Sequence, residues 1–336
     1  MNPLLEVRGL TVTYGSSHGD IPAVRGVDLS VAGGEKVGIA GESGCGKSSL
    51  ALALLRLLPR TATVDGEILF DGEDVLTMSF GRLRAVRWAG ASVVFQGAMH
   101  ALNPVRRVEE QIAEPILVHG GDRRSARIRA AELLDDVGLG AARGRAYPHQ
   151  LSGGQRQRVV IAMALACTPK LIVADEPTTA LDVMIQAQIL RLVGGLVADR
   201  GISLVMISHD LSVLAGTCDR LAVMYAGRVV EQGPAARVFA DGRHPYSRAL
   251  AAAFPRVGDP SARHNPQGLP GDPPDPSDLP PGCAFHPRCP VALPICPTVD
   301  PPLRRWHPTP GPAPAEAGAI DAACVHVRES HAAVGP

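Results

Sequence analysis

The stretch Gly41-Glu-Ser-Gly-Cys-Gly-Lys47-Ser48 lies between a short apolar segment, Lys36–Ala40, and a helix-like run from Ser48 to Leu58 that Pro59 ends. Few folds accommodate that order. Glycines at its first, fourth and sixth places let the backbone wrap closely around a small group. Amides turned inward, and the positive N-terminal end of a following helix, make such a turn a cradle for anions. The spacing is GxxxxGK[ST], so the expected guest is a phosphate chain, with Lys47 at its β- and γ-phosphates and the Ser48 hydroxyl on Mg²⁺. The chain has only three lysines among 33 basic residues, and one stands at position 47, where a compact charge suits such a loop. A glycine-rich turn that only caps a helix is the plainer alternative. The strand before and the helix after argue against it.

A second site element ends another apolar segment. Leu171–Ala174 runs into Asp175 and Glu176. Beside a phosphate loop, Asp175 suits Mg²⁺, held through water, and Glu176 suits a base that takes a proton from an attacking water. Acidic residues at strand ends also cap helices, so this pair means little without the loop.

Leu151-Ser152-Gly153-Gly154-Gln155 precedes a helical pattern and resembles the signature sequence of ABC ATPases. The other positions follow in that family's order. Gln96 comes after the apolar Val93–Phe95 as its Q-loop glutamine does. Ala180-Leu181-Asp182 matches its D-loop, and His209 follows Val205–Ser208 as its switch histidine does. Tyr14 stands where the family stacks a ring on adenine. Read one by one, these are an N-cap, strand-end residues and a surface histidine; in this order they form a set.

The resemblance spans the chain to about residue 240 and implies an α/β fold: an ABC-type cassette with a RecA-like core, an antiparallel β subdomain and a helical subdomain at about 98–160. It implies ATP contacts from the loop residues Gly41, Glu42, Ser43, Gly44, Cys45, Gly46, Lys47, Ser48 and Ser49, joined by Tyr14, Gln96, Asp175 and His209. Ser48, Gln96 and Asp175 would serve Mg²⁺, and Glu176, His209 and Gln96 the hydrolytic step. Ser152, Gly153, Gly154 and Gln155, with Asp182, would face the nucleotide of a second cassette.

Three segments narrow the class. Gly97–Pro104, ending Ala101-Leu102-Asn103-Pro104, Arg243–Leu250 with its His244-Pro245-Tyr246, and Leu279–Pro290 resemble parts of oligopeptide, dipeptide and nickel importers. That likeness implies an ATPase subunit powering peptide uptake, with nickel or another solute as alternative cargo. Its expected partners are a second, related ATPase chain, two membrane permeases and an extracytoplasmic binding protein. A soluble ABC ATPase on nucleic acid or ribosomes is the competing reading. The balance of 33 basic and 33 acidic residues speaks against it and against a nucleic-acid partner. The longest apolar runs are interrupted, Val159–Ala174 by Pro169 and Lys170 and Leu50–Leu58 by Arg56, and the start Met1–Glu6 lacks a signal peptide's pattern. The expected place is therefore the cytoplasmic face of a membrane, held there by partners.

Composition shifts near residue 255, and 20 of the 30 prolines fall between Pro255 and Pro336. The expected division is a cassette at 1–240 and an extension at 241–336. Four of the seven cysteines, Cys283, Cys289, Cys296 and Cys324, gather in that extension. Their spacing is neither the CxxC pairing of most structural zinc sites nor a ferredoxin pattern. Four thiols in a proline-rich tail suggest a metal staple. In the resembled importers the extension is associated with a 4Fe–4S cluster; zinc, with His286 or His326 as possible ligands, and free thiols are the alternatives.

Overall fold

The computed structural model describes residues 2–17, 19–95, 97, 101–179, 181–253, 268–306 and 319–327. They gather into two compact units, each made from separated pieces of chain.

One unit holds Glu6–Ser30, Val37–Ile68 and Ser208–Pro336. Strands β1 (Leu5–Ser16), β2 (Gly19–Val31) and β4 (Ala62–Phe70) lie in the order β2–β1–β4. Along β1 the alternation buries Leu5, Val7, Leu10 and Val12, slipping by one residue at Gly9, whose amide donates to Asp28 Oδ1 at 2.7 Å. Strand β3 (Lys36–Ala40) is buried beyond its first residue and leads into the glycine-rich loop. It runs parallel to β9 (Arg220–Tyr225), with Val37 opposite Arg220. A hairpin about Ala226 and Gly227 turns β9 into β10 (Arg228–Pro234). The edge of β10 then accepts β12 (Ile320–Ala322), which pairs in turn with β11 (Arg304–Trp306). The tail thus supplies two strands to this sheet, an addition its proline content concealed.

Helices of this unit are α1 (Lys47–Ala53), α7 (Leu211–Thr217), α8 (Ala235–Asp241) and α9 (Pro245–Ala253). Helix α1 is shorter than the expected run to Leu58. The chain leaves the helix after Ala53, and Arg56 takes a left-handed φ of 50°.

The other unit holds β6 (Ala91–Val94), β7 (Leu171–Asp175) and β8 (Ser203–Ser208), parallel in the order β8–β7–β6. All five residues of β7 are buried, as an unbroken apolar run in a parallel sheet should be. Ser203 pins the turn ahead of β3: its hydroxyl donates to Ala32 O at 3.1 Å and accepts from Gly34 N at 2.8 Å. Short strand β5 (Glu73–Asp74) folds back on the end of β4.

Among the described residues the helices here are α2 (Phe80–Val86), α3 (Val108–Val118), α4 (Arg123–Asp136), α5 (Gly153–Ala164) and α6 (Val183–Asp199). Within the helical subdomain expected at about 98–160, α3 and α4 are followed by a 3₁₀ turn at Ala141–Arg145. Side-chain oxygens of Ser79, Asp122, Ser152 and Asp182 accept amides at the starts of α2, α4, α5 and α6, which fixes where those helices begin. Among the described residues no helix is long and apolar enough to cross a membrane.

Candidate functional site

The loop after β3 is built from left-handed turns. Gly41, Gly44 and Gly46 have φ of 155°, 80° and 101°. A Cβ on Gly46 would overlap the carbonyl oxygen of Ala23, so only glycine fits where α1 begins. Lys47 is 5% exposed, and its ammonium donates to the loop's own carbonyls, Gly41 O at 2.8 Å and Glu42 O at 2.7 Å. Cys45 Sγ lies 3.7 Å from the same Nζ. Burial pushes the Cys45 thiol up, so it stays an uncharged neighbour of the ammonium. Ser48 is exposed, and Ser49 receives a hydrogen bond from the Tyr14 hydroxyl at 3.1 Å. The structure therefore joins Tyr14 to the first turn of α1. His209 is exposed where β8 gives way to α7, whose start is capped by Asp210 Oδ1.

In the other unit Asp175 ends β7 buried, and Glu176 follows half-buried with φ of 44°. A left-handed glutamate is uncommon and is held here by bonds on both sides. Its amide donates to Ile207 O at 3.0 Å, and its Oε2 accepts from Thr179 Oγ1 at 2.8 Å. Ser152 and Gln155 form a reciprocal capping box: Gln155 N donates to Ser152 Oγ at 3.3 Å, and Ser152 N to Gln155 Oε1 at 3.0 Å. The plain N-cap reading of this serine is thus correct as local structure. Gly154 lies against Ile185, where a Cβ would come within 2.6 Å of Cγ2. Ile185 in turn donates its amide to Asp182 Oδ1 at 2.9 Å, so the signature and D-loop segments meet at the starts of α5 and α6. Gln96 and Ala180 lie outside the described residues, as does His100. Asn103 is pinned by Gln111, a buried side chain that sequence reasoning missed. Gln111 Oε1 accepts Asn103 N at 2.8 Å, and its Nε2 donates to Asn103 O at 3.0 Å.

The extension reaches the loop directly. Tyr246 in α9 is fully buried, and its hydroxyl accepts the amide of Glu42 at 2.8 Å. Its ring packs with Tyr225 and Phe285 at centroid distances of 4.6 and 5.3 Å. Burial raises the Tyr246 phenol far above its ordinary range, so it remains protonated. Arg288 makes a two-point ion pair with Glu42, at 2.7 and 2.9 Å, which raises its own pKa further. Beneath Tyr246, the buried carboxylate of Glu231 accepts the amides of Arg243 at 2.6 Å and His244 at 3.0 Å. Desolvation raises the Glu231 pKa and lowers that of buried His244 to about 3. Neither Glu231 nor Arg288 was singled out in the sequence. The only signal was Arg288's place inside the cysteine string.

The four tail cysteines are free thiols that sense one another electrostatically. Burial raises Cys283, Cys289 and Cys324, and neighbouring sulfurs add to that rise. Each sulfur also accepts a backbone amide: from Phe285, Val291 and His326 to Cys283, Cys289 and Cys324, and from Leu293 to Cys296 at 3.3 Å. Among the described residues, however, no three His, Cys, Asp or Glu side chains converge as a metal-ion site. The expected metal centre is not formed in the structure, although its four donors are neighbours.

Comparison with known proteins agrees with this geometry. A family model described as ABC transporter matches residues 24–179, and one described as oligopeptide/dipeptide transporter, C-terminal region, matches residues 230–296. The chain is 45% identical over 310 residues to the oligopeptide transport ATP-binding protein OppD of Salmonella typhimurium, covering 91% of this chain and 92% of that protein. It is 46% identical over 298 residues to a putative peptide import ATP-binding protein of Brucella abortus, covering 88% and 89%. Among solved structures, the dimeric ATP-binding cassette MJ0796, in a post-hydrolysis state bound to ADP and Pi, matches with a TM-score of 0.62 at 31% identity. That match covers 69% of this chain and 98% of the cassette. The protein cbiO1 of Clostridium perfringens, part of the transporter complex cbiONQ, matches with a TM-score of 0.62 at 30% identity, covering 72% and 92%. The chain belongs to the ABC transporter family, as an ATP-hydrolysing, ATP-binding subunit of the kind that carries the oligopeptide/dipeptide transporter C-terminal region.

Proposed function

We propose that this ATPase powers the import of peptides, from the cytoplasmic face of a membrane, together with a second and related ATPase chain, two permeases and an extracytoplasmic binding protein. The relatives named for oligopeptide transport and peptide import support that cargo. The observation that carries the chemical reading is the Lys47 ammonium, buried inside its own loop at 2.8 and 2.7 Å from two loop carbonyls. A positive charge held there, at the start of a helix, is arranged for a polyphosphate.

In this reading Gly41–Ser49 hold the phosphates, Tyr14 packs on the base, and Gln96 and His209 complete the ATP contacts. Ser48, Gln96 and Asp175 offer hard oxygen donors, which suit Mg²⁺, whose charge offsets that of the phosphates when it is bound. Glu176 takes the proton from the attacking water and His209 steadies the reacting group. Ser152, Gly153, Gly154 and Gln155, with Asp182, serve the nucleotide held by the partner cassette, so hydrolysis requires two cassettes face to face. The working division is a cassette at 1–240 and an extension at 241–336.

The decisive variant is Glu176→Gln in the complex with its membrane partners. The expected result is lost turnover with ATP retained in a closed cassette pair. Unchanged turnover removes Glu176 as the base, and co-purification with RNA rather than permeases overturns the importer reading.

We also propose that Cys283, Cys289, Cys296 and Cys324 hold a 4Fe–4S cluster that staples the extension, with zinc as the alternative. Support comes from the four cysteines being neighbours and from the backbone amide that each sulfur accepts, an arrangement that suits ligating sulfur. Thiols that burial keeps protonated would lose their protons on binding a cationic cluster. Anaerobically purified protein should be brown, with bound iron. Colourless protein with stoichiometric zinc excludes the cluster, and metal-free protein excludes both.

A further inference from the structure

Glu42, the second residue of the phosphate loop, is held by every polar group it owns. Its amide donates to Tyr246, its carbonyl accepts from Lys47, and its carboxylate meets the Arg288 guanidinium at two points. The ion pair is secluded, with Arg288 and Glu42 side chains 6% and 20% exposed. Arg288 is fixed from behind. Its Nε donates to Pro270 O at 2.8 Å, and its Nη1 lies 3.3 Å from the Tyr225 hydroxyl. It closes the 3₁₀ turn His286–Arg288, which is tied to Cys283 O and Phe285 O. Phe285 at the head of that turn is buried against Tyr225 and Tyr246.

A carboxylate on a loop that receives a triphosphate is an electrostatic contradiction. Like charges repel, most strongly where water is scarce. We propose that Arg288 resolves it as a positioning residue that acts through Glu42: it cancels the charge of that carboxylate, so that the loop binds ATP tightly. This rests on the reading of Gly41–Ser49 as the nucleotide's seat. It gives the extension a role in nucleotide affinity, exerted through Glu42 rather than by contact with ATP.

The competing role for the same ion pair is a staple that only attaches the extension. Rescue separates the two. In the full chain assembled with its membrane partners, Arg288→Met should raise KM for ATP about tenfold while kcat stays within about twofold. Adding Glu42→Gln removes the stranded carboxylate and should bring KM back to within about threefold of the parent, although the attachment stays broken. Arg288→Lys keeps the charge and should stay within about threefold too; it also serves as the folded comparison should Arg288→Met be unstable. Binding of a fluorescent ATP analogue to the full chain reports the same order without turnover. An unchanged KM in Arg288→Met, no rescue by Glu42→Gln, or a lysine variant as impaired as methionine overturns the proposal. A parent chain that binds no ATP would instead sink the nucleotide reading beneath it.

Discussion

The hydroxyl of Tyr246 accepts the amide of Glu42 at 2.8 Å, joining helix α9 of the extension to the second residue of the phosphate loop. Tyr246 is buried and the bond is part-buried, so losing the acceptor leaves a backbone donor without its partner. Tyr246→Phe keeps the ring's packing and should cost about 1–3 kcal/mol, read by denaturant unfolding of the full chain. Weaker ATP binding should accompany it, because the loop's anchor is gone.

Gly46 marks the point where loop becomes helix. With φ of 101° and the Ala23 carbonyl where a Cβ would sit, Gly46→Ala both strains the backbone and displaces β2. Nucleotide binding should fall below detection in a fluorescent-analogue titration. The variant should also melt earlier. An alanine variant that binds ATP normally would show that the loop is free to rebuild.

Ser152 is exposed, and its cap on α5 is shared with Gln155. Ser152→Ala should therefore cost only about 1 kcal/mol of stability. Its effect on turnover should be far larger, while ATP binding by the chain alone persists, because the proposed client of Ser152 is the partner's nucleotide. Equal loss of binding and turnover would contradict that division of labour.

His244 sets a pH limit on the extension. It is buried and neutral, its Nδ1 accepting the Tyr246 amide at 3.1 Å, with a folded pKa of about 3 against an ordinary 6.5. Desolvation is the main cause, with the charge of Arg248 adding to it. A depressed pKa means that stability is present above pH 6.5 and is lost as pH falls towards 3. At pH 5 the unfolded state should gain about 2 kcal/mol from protonation of this one residue. Melting temperature should drop between pH 7 and pH 5, and the drop should be smaller in His244→Gln.

Much of the phosphate machinery was legible because its chemistry is local. Gly41–Ser48 and Leu151–Gln155 are contiguous strings whose spacing fixes backbone shape, and β3 came out with the residues its apolar run defines. Helix α2, capped by Ser79, and helix α7, capped by Asp210, were missed although both caps stand in the sequence, because each helix has only seven residues and little periodicity. The tail misled for a different reason. Its proline content hides β12, whose three residues become a strand only because β10 offers them an edge. Arg288 and Glu42 are 246 positions apart, a separation across which no local pattern operates.

The pairing of β12 with β10 bears on how this motor should be handled at the bench. A trimmed version stopping near residue 240 would look like a natural minimal cassette. It would bare the hydrogen-bonding rim of β10, an invitation to self-association, and leave the Glu231 carboxylate, now enclosed by Arg243 and His244, without its amide donors. Poor behaviour of such a fragment would record that surgical damage. It would not measure what the cassette can do.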